Sequence, residues 1–97
     1  MKYLKSEYKL VGFRKSKRVN KKYDGILKHK KTGKKVYVPF GATQYETYSD
    51  KTGLGLYGIH NDKTRLSSYR ARFRKLIQNK DYNKYYSPIW FSTQYLW

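Results

Sequence analysis

Gly53-Leu54-Gly55-Leu56-Tyr57-Gly58 has the G-x-G-x-x-G spacing that brings backbone amides against a pyrophosphate in dinucleotide-binding turns. Such a turn must leave a strand, open a helix and be followed about 20 residues later by an acid. Here Ser49-Asp50-Lys51-Thr52, a turn-forming run, precedes it, and the next helix signal comes only after His60. The glycines therefore read as a flexible turn. His29 and His60 are the two histidines; the first lies in a lysine-rich turn that repels cations, and the second sits just before a helix start. A structural zinc site needs four Cys or His ligands, and there is no cysteine. Thiol catalysis and disulfides are thereby excluded. Glu46 and Asp50 have the spacing of helical neighbours, but an acid/base pair needs a cleft that a chain of 97 residues hardly has. No catalytic residue, metal site, cofactor or small-molecule substrate is expected, and the chain reads as non-enzymatic.

The chemistry the sequence does carry is cationic. Lys and Arg number 23 against 6 Asp and Glu, a formal charge of +17. The charge falls in two blocks, with 14 Lys/Arg and 2 acids in residues 1–35 and 8 Lys/Arg and 1 acid in residues 63–97. The stretch between is slightly acidic. Arg14, Lys15, Lys17 and Arg18 with Lys21 and Lys22 border one strand connection, and Lys28, Lys30, Lys31, Lys34 and Lys35 border the next. Lysine binds phosphate as a point charge without reading bases. A field of this size recruits polyanions over a Debye length of roughly 8 Å. Arg70 and Arg74, one helical turn apart, extend the candidate polyanion-binding set.

These residues need a scaffold. Tyr8 to Arg14 alternates like a strand, Tyr23 to Lys28 forms a second around Gly25, and Val36, Val38 and Phe40 share one face of a third. Pro39 ends that strand or marks an edge. Lys31-Thr32-Gly33-Lys34 signals a tight turn with Gly33 at positive φ. The result is an antiparallel three-stranded meander, with the two cationic turns at opposite ends of its middle strand. Residues 41–60 read as mostly loop, with a helical turn placed at Gln44 to Tyr48. Asn61 or Asp62 caps a helix carrying Leu66, Tyr69, Phe73, Leu76 and Ile77 as one apolar stripe and ending near Asn79. Ser87-Pro88 starts a short C-terminal helix. Its Trp90 and Phe91 are expected beside that stripe.

The expected fold is thus one α+β domain over residues 1–97: a meander, one amphipathic helix and a short C-terminal helix. Mean hydropathy is −0.99, as in disordered chains, but 19% of residues are aromatic, which favours an aromatic core under a basic skin. The opening Met1–Glu7 has no apolar run of a secretion leader, and no run approaches the roughly 20 residues of a membrane span. Aromatics interleave with charge as in proteins that stack single-stranded bases, and Val36–Phe40 is similar in outline to the third-strand motif of the RRM. That module, however, needs two helices crossing between strands.

Several stretches resemble short basic proteins of large nucleocytoplasmic DNA viruses. They are Lys21-Lys22-Tyr23-Asp24, Phe40-Gly41-Ala42, Tyr48 through Gly53, His60-Asn61-Asp62-Lys63, and then Arg65, Tyr69, Arg72 and Phe73. The tail adds Ser87-Pro88-Ile89-Trp90-Phe91-Ser92 and Tyr95-Leu96-Trp97. The resemblance spans residues 21–97, and departs from the pattern at Arg72-Phe73, where several members have Arg-His. It implies a viral source and a virion location, or otherwise the host-cell cytoplasm or nucleus, and transfers no catalytic residue. Two functions compete, and the first is slightly favoured, because the chain invests much in aromatics and little in a long cationic tail. The first is a minor capsid or capsid-associated protein whose basic surface meets an acidic capsid protein, the inner face of a membrane or the genome, oligomeric only within that assembly. The second is a non-specific DNA-binding or condensing protein. If Trp90, Phe91 and Trp97 form an exposed patch, they are a protein-docking site and favour the first. If they are buried, the second gains.

Overall fold

A computed structural model describes residues 3–97; Met1 and Lys2 of the opening stretch lie outside the described residues. The period-2 segments form the expected meander. Strands β1 (Tyr8–Lys15), β2 (Lys21–His29) and β3 (Lys35–Ala42) pair antiparallel in the order β1-β2-β3. Register follows the apolar pattern. Leu10 lies opposite Leu27 and Leu27 opposite Val36, Phe13 opposite Gly25 and Gly25 opposite Val38, and Tyr23 opposite Phe40. A β-bulge between Leu10 and Gly12 leaves Val11 without an opposite residue. It also shifts the alternation, so that Leu10 and Phe13 reach the same face. Gly33 turns the β2–β3 connection at φ +74°.

β3 runs through Pro39, which pairs with Asp24, and ends at Ala42. Pro39 therefore does not end the strand. β3 is an edge strand with one side unpartnered, where a residue lacking N–H is tolerated.

Helices α1 (Lys63–Arg72), α2 (Arg74–Ile77) and α3 (Pro88–Tyr95) follow. The expected long helix divides at Phe73, whose φ of −103° and ψ of 13° leave helical space. The amide of Phe73 still donates to Tyr69 O and that of Ile77 to Phe73 O, so the rod bends and its hydrogen bonds continue. Asp62 caps α1, its carboxylate accepting from Thr64 N at 2.8 Å and Arg65 N at 3.3 Å. Ser87 caps α3 through Trp90 N, with Pro88 in the first turn. Gln44 to Tyr48 holds a non-helical turn and an isolated parallel bridge from Thr47 to Ile59.

The core joins one sheet face to α3. Tyr23, Leu27, Val38, Phe40, Phe91 and Leu96 are its buried members. Phe91 stacks on Phe40 at 5.1 Å between ring centres and meets Phe13 edge-on at 6.1 Å. Gly25 makes room for it: a Cβ there would lie 2.6 Å from Phe91 Cε1. Two ties fasten α3. Residues 3–5 pair with residues 84–86, and Ser49 N and Lys51 N donate to the carbonyls of Leu96 and Tyr95.

The expected placement of Trp90 and Phe91 beside the α1 stripe is corrected. Phe91 packs towards the sheet and Trp90 against Tyr86 and Lys5, and the tail residue that meets α1 is Trp97, stacked on Tyr69 at 4.5 Å with ring planes 5° apart. Tyr69 also hydrogen-bonds Thr93 through its hydroxyl. No α1 or α2 residue is fully buried. The stripe is too sparse to bury a helix face, and α1 is held mainly by this one aromatic contact.

Candidate functional site

With one face of the sheet under α3, the alternate residues form the other face. Three cross-strand rows make it up. Lys9, Lys28 and Lys35 form the first, Gly12, Ile26 and Tyr37 the second, and Arg14, Asp24 and Pro39 the third. Lys9, Lys28 and Lys35 are all exposed. Like charges directly opposite destabilise a sheet. This row carries three, and among the described residues no carboxylate lies within ion-pair distance of any of them. The acids that make ion pairs are committed elsewhere: Asp24 to Arg14, Glu46 and Asp62 to Arg65, Asp81 to Lys84.

The third row is pre-organised. Arg14 Nε donates to Asp24 Oδ2 at 3.0 Å, and the Asp24 side chain is 4% exposed against 33% for Arg14. This bond lays the guanidinium over the Tyr37 ring, with Cζ 3.6 Å from the ring centre. Asp24 Oδ1 is buried and has no hydrogen-bond partner among the described residues. A depression of about 200 Å³ here is lined by Arg14, Lys17, Arg18, Asp24, Tyr37 and Pro39. A second depression, about 350 Å³, lies on α1–α2 and includes both Arg70 and Arg74.

Of the cations singled out in the sequence, Lys15, Lys17, Arg18, Lys28, Lys30, Lys31, Lys34, Lys35, Arg70 and Arg74 are exposed, and Arg14 and Lys21 are half-buried. The two cationic turns do sit at opposite ends of β2. Lys22 is the exception. It is 1% exposed, its Nζ lies 5.4 Å from the centre of the Tyr57 ring, and burial pushes its pKa down against the pull of Asp50 and Glu46. A cation so enclosed cannot meet a phosphate. The 42–58 segment, whose fold leaves no local signal in the sequence, covers it.

Tyr23 and Asp50 anchor that segment. Tyr23 Oη donates to Asp50 Oδ2 at 2.6 Å and accepts from Leu56 N. Burial, then the bond to Asp50, raises the Tyr23 pKa. Burial pushes the Asp50 carboxyl up, but bonds from the Thr52 hydroxyl, Tyr23 and the Thr52 amide outweigh it and bring the pKa below its ordinary value. The Gly53–Gly58 motif lies in this segment with neither a strand before it nor a helix directly after, and Gly53 and Gly55 adopt positive φ. It is a turn. Both histidines act as local acceptors, His29 Nδ1 from the amides of Lys31 and Thr32, and His60 Nδ1 from Asp62 N.

The candidate docking aromatics are corrected too. Phe91 is 0% exposed, in the core. Trp90 is half-buried under the Lys5 ammonium, 4.0 Å from its ring centre, and Trp97 is half-buried between Tyr69 and His60. They form no exposed patch. Sequence reasoning missed Lys9 and Tyr37. Their signal was present, since each alternates with apolar residues that face the core. Comparison with family models, with curated proteins and with solved structures finds no match to the chain.

Proposed function

We propose that this chain is a non-enzymatic nucleic-acid-binding protein that holds the phosphate backbone on the open face of its sheet. The observation that carries this reading is the cross-strand row Lys9–Lys28–Lys35, an arrangement that costs stability in the free protein and is relieved by a polyanion. The exposed turn cations Lys17, Arg18, Lys30, Lys31 and Lys34 lengthen the positive track. Burial of Phe91, with Trp90 and Trp97 half-covered, removes the main support for a protein-docking tail. The resemblance to basic proteins of large DNA viruses makes a packaged genome the candidate polyanion, and the virion or the host-cell interior the place of action.

Fluorescence anisotropy with labelled DNA tests the reading. If about six phosphates are neutralised, affinity falls with a log–log salt slope of about −5. Replacing Lys9, Lys28 and Lys35 together by Gln lowers that slope by roughly 2–3 if each meets one phosphate. No binding at low salt, or an unchanged slope in the triple variant, overturns it.

A second reading, contact with an acidic capsid protein, draws on the exposed Tyr45, Leu54, Leu56 and Ile59 of the 45–59 segment. Nuclease treatment of opened particles separates the two: release with the digested genome supports the first, retention on the shell the second.

A further inference from the structure

We infer that the open sheet face takes single-stranded nucleic acid, with an unpaired base stacking on the Tyr37–Arg14 pair. This rests on the nucleic-acid reading above and specifies which form of nucleic acid it concerns. Most aromatic side chains here are absorbed by the core or packed against it. Tyr37 is not: it projects from the central row of the uncovered face and is 41% exposed. Its neighbour Arg14 is held over it by the buried Asp24, with Cζ 3.6 Å from the ring centre, so the cation and the ring are already paired before any ligand arrives. Fixing these side chains in advance lowers the entropy lost on binding. Bases stack on both aromatic rings and guanidinium planes.

The surroundings fit the rest of a nucleotide. Lys17 and Arg18 border the same depression, exposed and available to phosphate. The Lys9–Lys28–Lys35 row lies two residues along β2 and β3 from Ile26 and Tyr37, a step of roughly 7 Å. Asp24 lines the depression too, but its Oδ1 is closed to solvent, so its part is to hold Arg14 in place and not to meet a base. A duplex offers little to this platform. Its base faces are covered by stacking, and its major groove admits a helix or a two-stranded ribbon, whereas this surface is a three-stranded sheet. Only an unpaired strand presents base faces to Tyr37 while its phosphates follow the lysines.

The test compares anisotropy of a short labelled oligonucleotide, single-stranded and as its duplex, with the full chain and with Tyr37→Leu and Tyr37→Phe. Leu keeps apolar bulk and loses the π-face; Phe keeps the face and loses the hydroxyl. The expected result is tighter binding of the single strand by the unaltered chain. Tyr37→Leu weakens it roughly 5- to 150-fold, with much less change for the duplex, and Tyr37→Phe stays close to the unaltered chain. Equal losses on both forms, no loss for Tyr37→Leu, or equal effects of Leu and Phe overturn the stacking assignment while leaving backbone binding intact. Failure of the unaltered chain to bind either form at low salt overturns both readings. Thermal melts of the variants, expected to match the parent at this exposed position, keep a folding defect from passing as a binding one.

Discussion

Replacing Phe91 by alanine removes the ring around which the two halves of the domain close. It is wholly buried, stacked on Phe40 at 5.1 Å, and ringed by Tyr86 at 5.9 Å, Phe13 at 6.1 Å and Trp90 at 5.2 Å. Below it Gly25 has no side chain with which to fill the gap. Truncating such a residue costs about 3–5 kcal/mol in lost burial and cavity. A domain of this length has a total stability of about 5–15 kcal/mol, and the self-repulsion of +17 charges places this one towards the lower end. At roughly 4–8 °C per kcal/mol, the Tm of Phe91→Ala falls by roughly 10–40 °C. Near-ultraviolet circular dichroism during a thermal melt reads it directly. Trp90→Ala, at a half-buried position, falls less, and Lys30→Ala/Lys31→Ala, at exposed positions, melts like the parent while binding DNA more weakly. A Phe91→Ala Tm within a few degrees of the parent would refute the packing argument and return α3 to the role of a peripheral docking segment.

Gly25→Ala sets a Cβ against the Phe91 ring and is expected to cost about 1–3 kcal/mol in a denaturant titration, while Gly12→Ala, where a Cβ meets nothing within 4 Å, is expected to cost far less. Lys22→Met keeps the length of a buried side chain, so DNA affinity and its salt slope, measured by anisotropy, stay those of the parent. Asp50 has a lowered folded pKa, so its contribution is present above the unfolded value of 3.8 and is lost as pH falls through the folded one. The Tm difference between pH 7 and pH 3 is therefore smaller in Asp50→Asn than in the parent. Tyr23 has a raised folded pKa, so its contribution is intact below the ordinary value of 10.0 and is lost as pH climbs through the folded one; Tyr23→Phe flattens that alkaline limb of a melt series.

The meander was legible because strand periodicity is short and its turns carry glycine and charge. The helix starts were legible because Asp62 and Ser87-Pro88 are local signals whose geometry the structure repeats. What depends on distant partners was not. The bulge at Val11, the passage of β3 through Pro39 and the bend at Phe73 have no local signature strong enough to compete with the alternatives. The helical spacing of Leu66, Tyr69 and Phe73 suggested a buried stripe, yet the tail offers that stripe a single stacked ring, Trp97. The basic site was legible in composition and incomplete in membership. Runs of lysine mark turns, so Lys30 and Lys31 stood out, whereas Lys9 and Tyr37 join the surface only once strand register is known. Lys22 sits in such a run and is lost from the surface because residues more than 20 positions away close over it.

The central claim is a location, the open sheet face, and backbone amide chemical-shift mapping of the isotopically labelled chain titrated with single-stranded DNA tests it most directly. The account predicts shifts concentrated at Lys9, Ile26, Lys28, Lys35 and Tyr37 and at the Lys17–Arg18 turn, with the amides of α3 undisturbed. Shifts confined to α1 and α2 around Arg70 and Arg74, or spread evenly over every exposed cation, would contradict it.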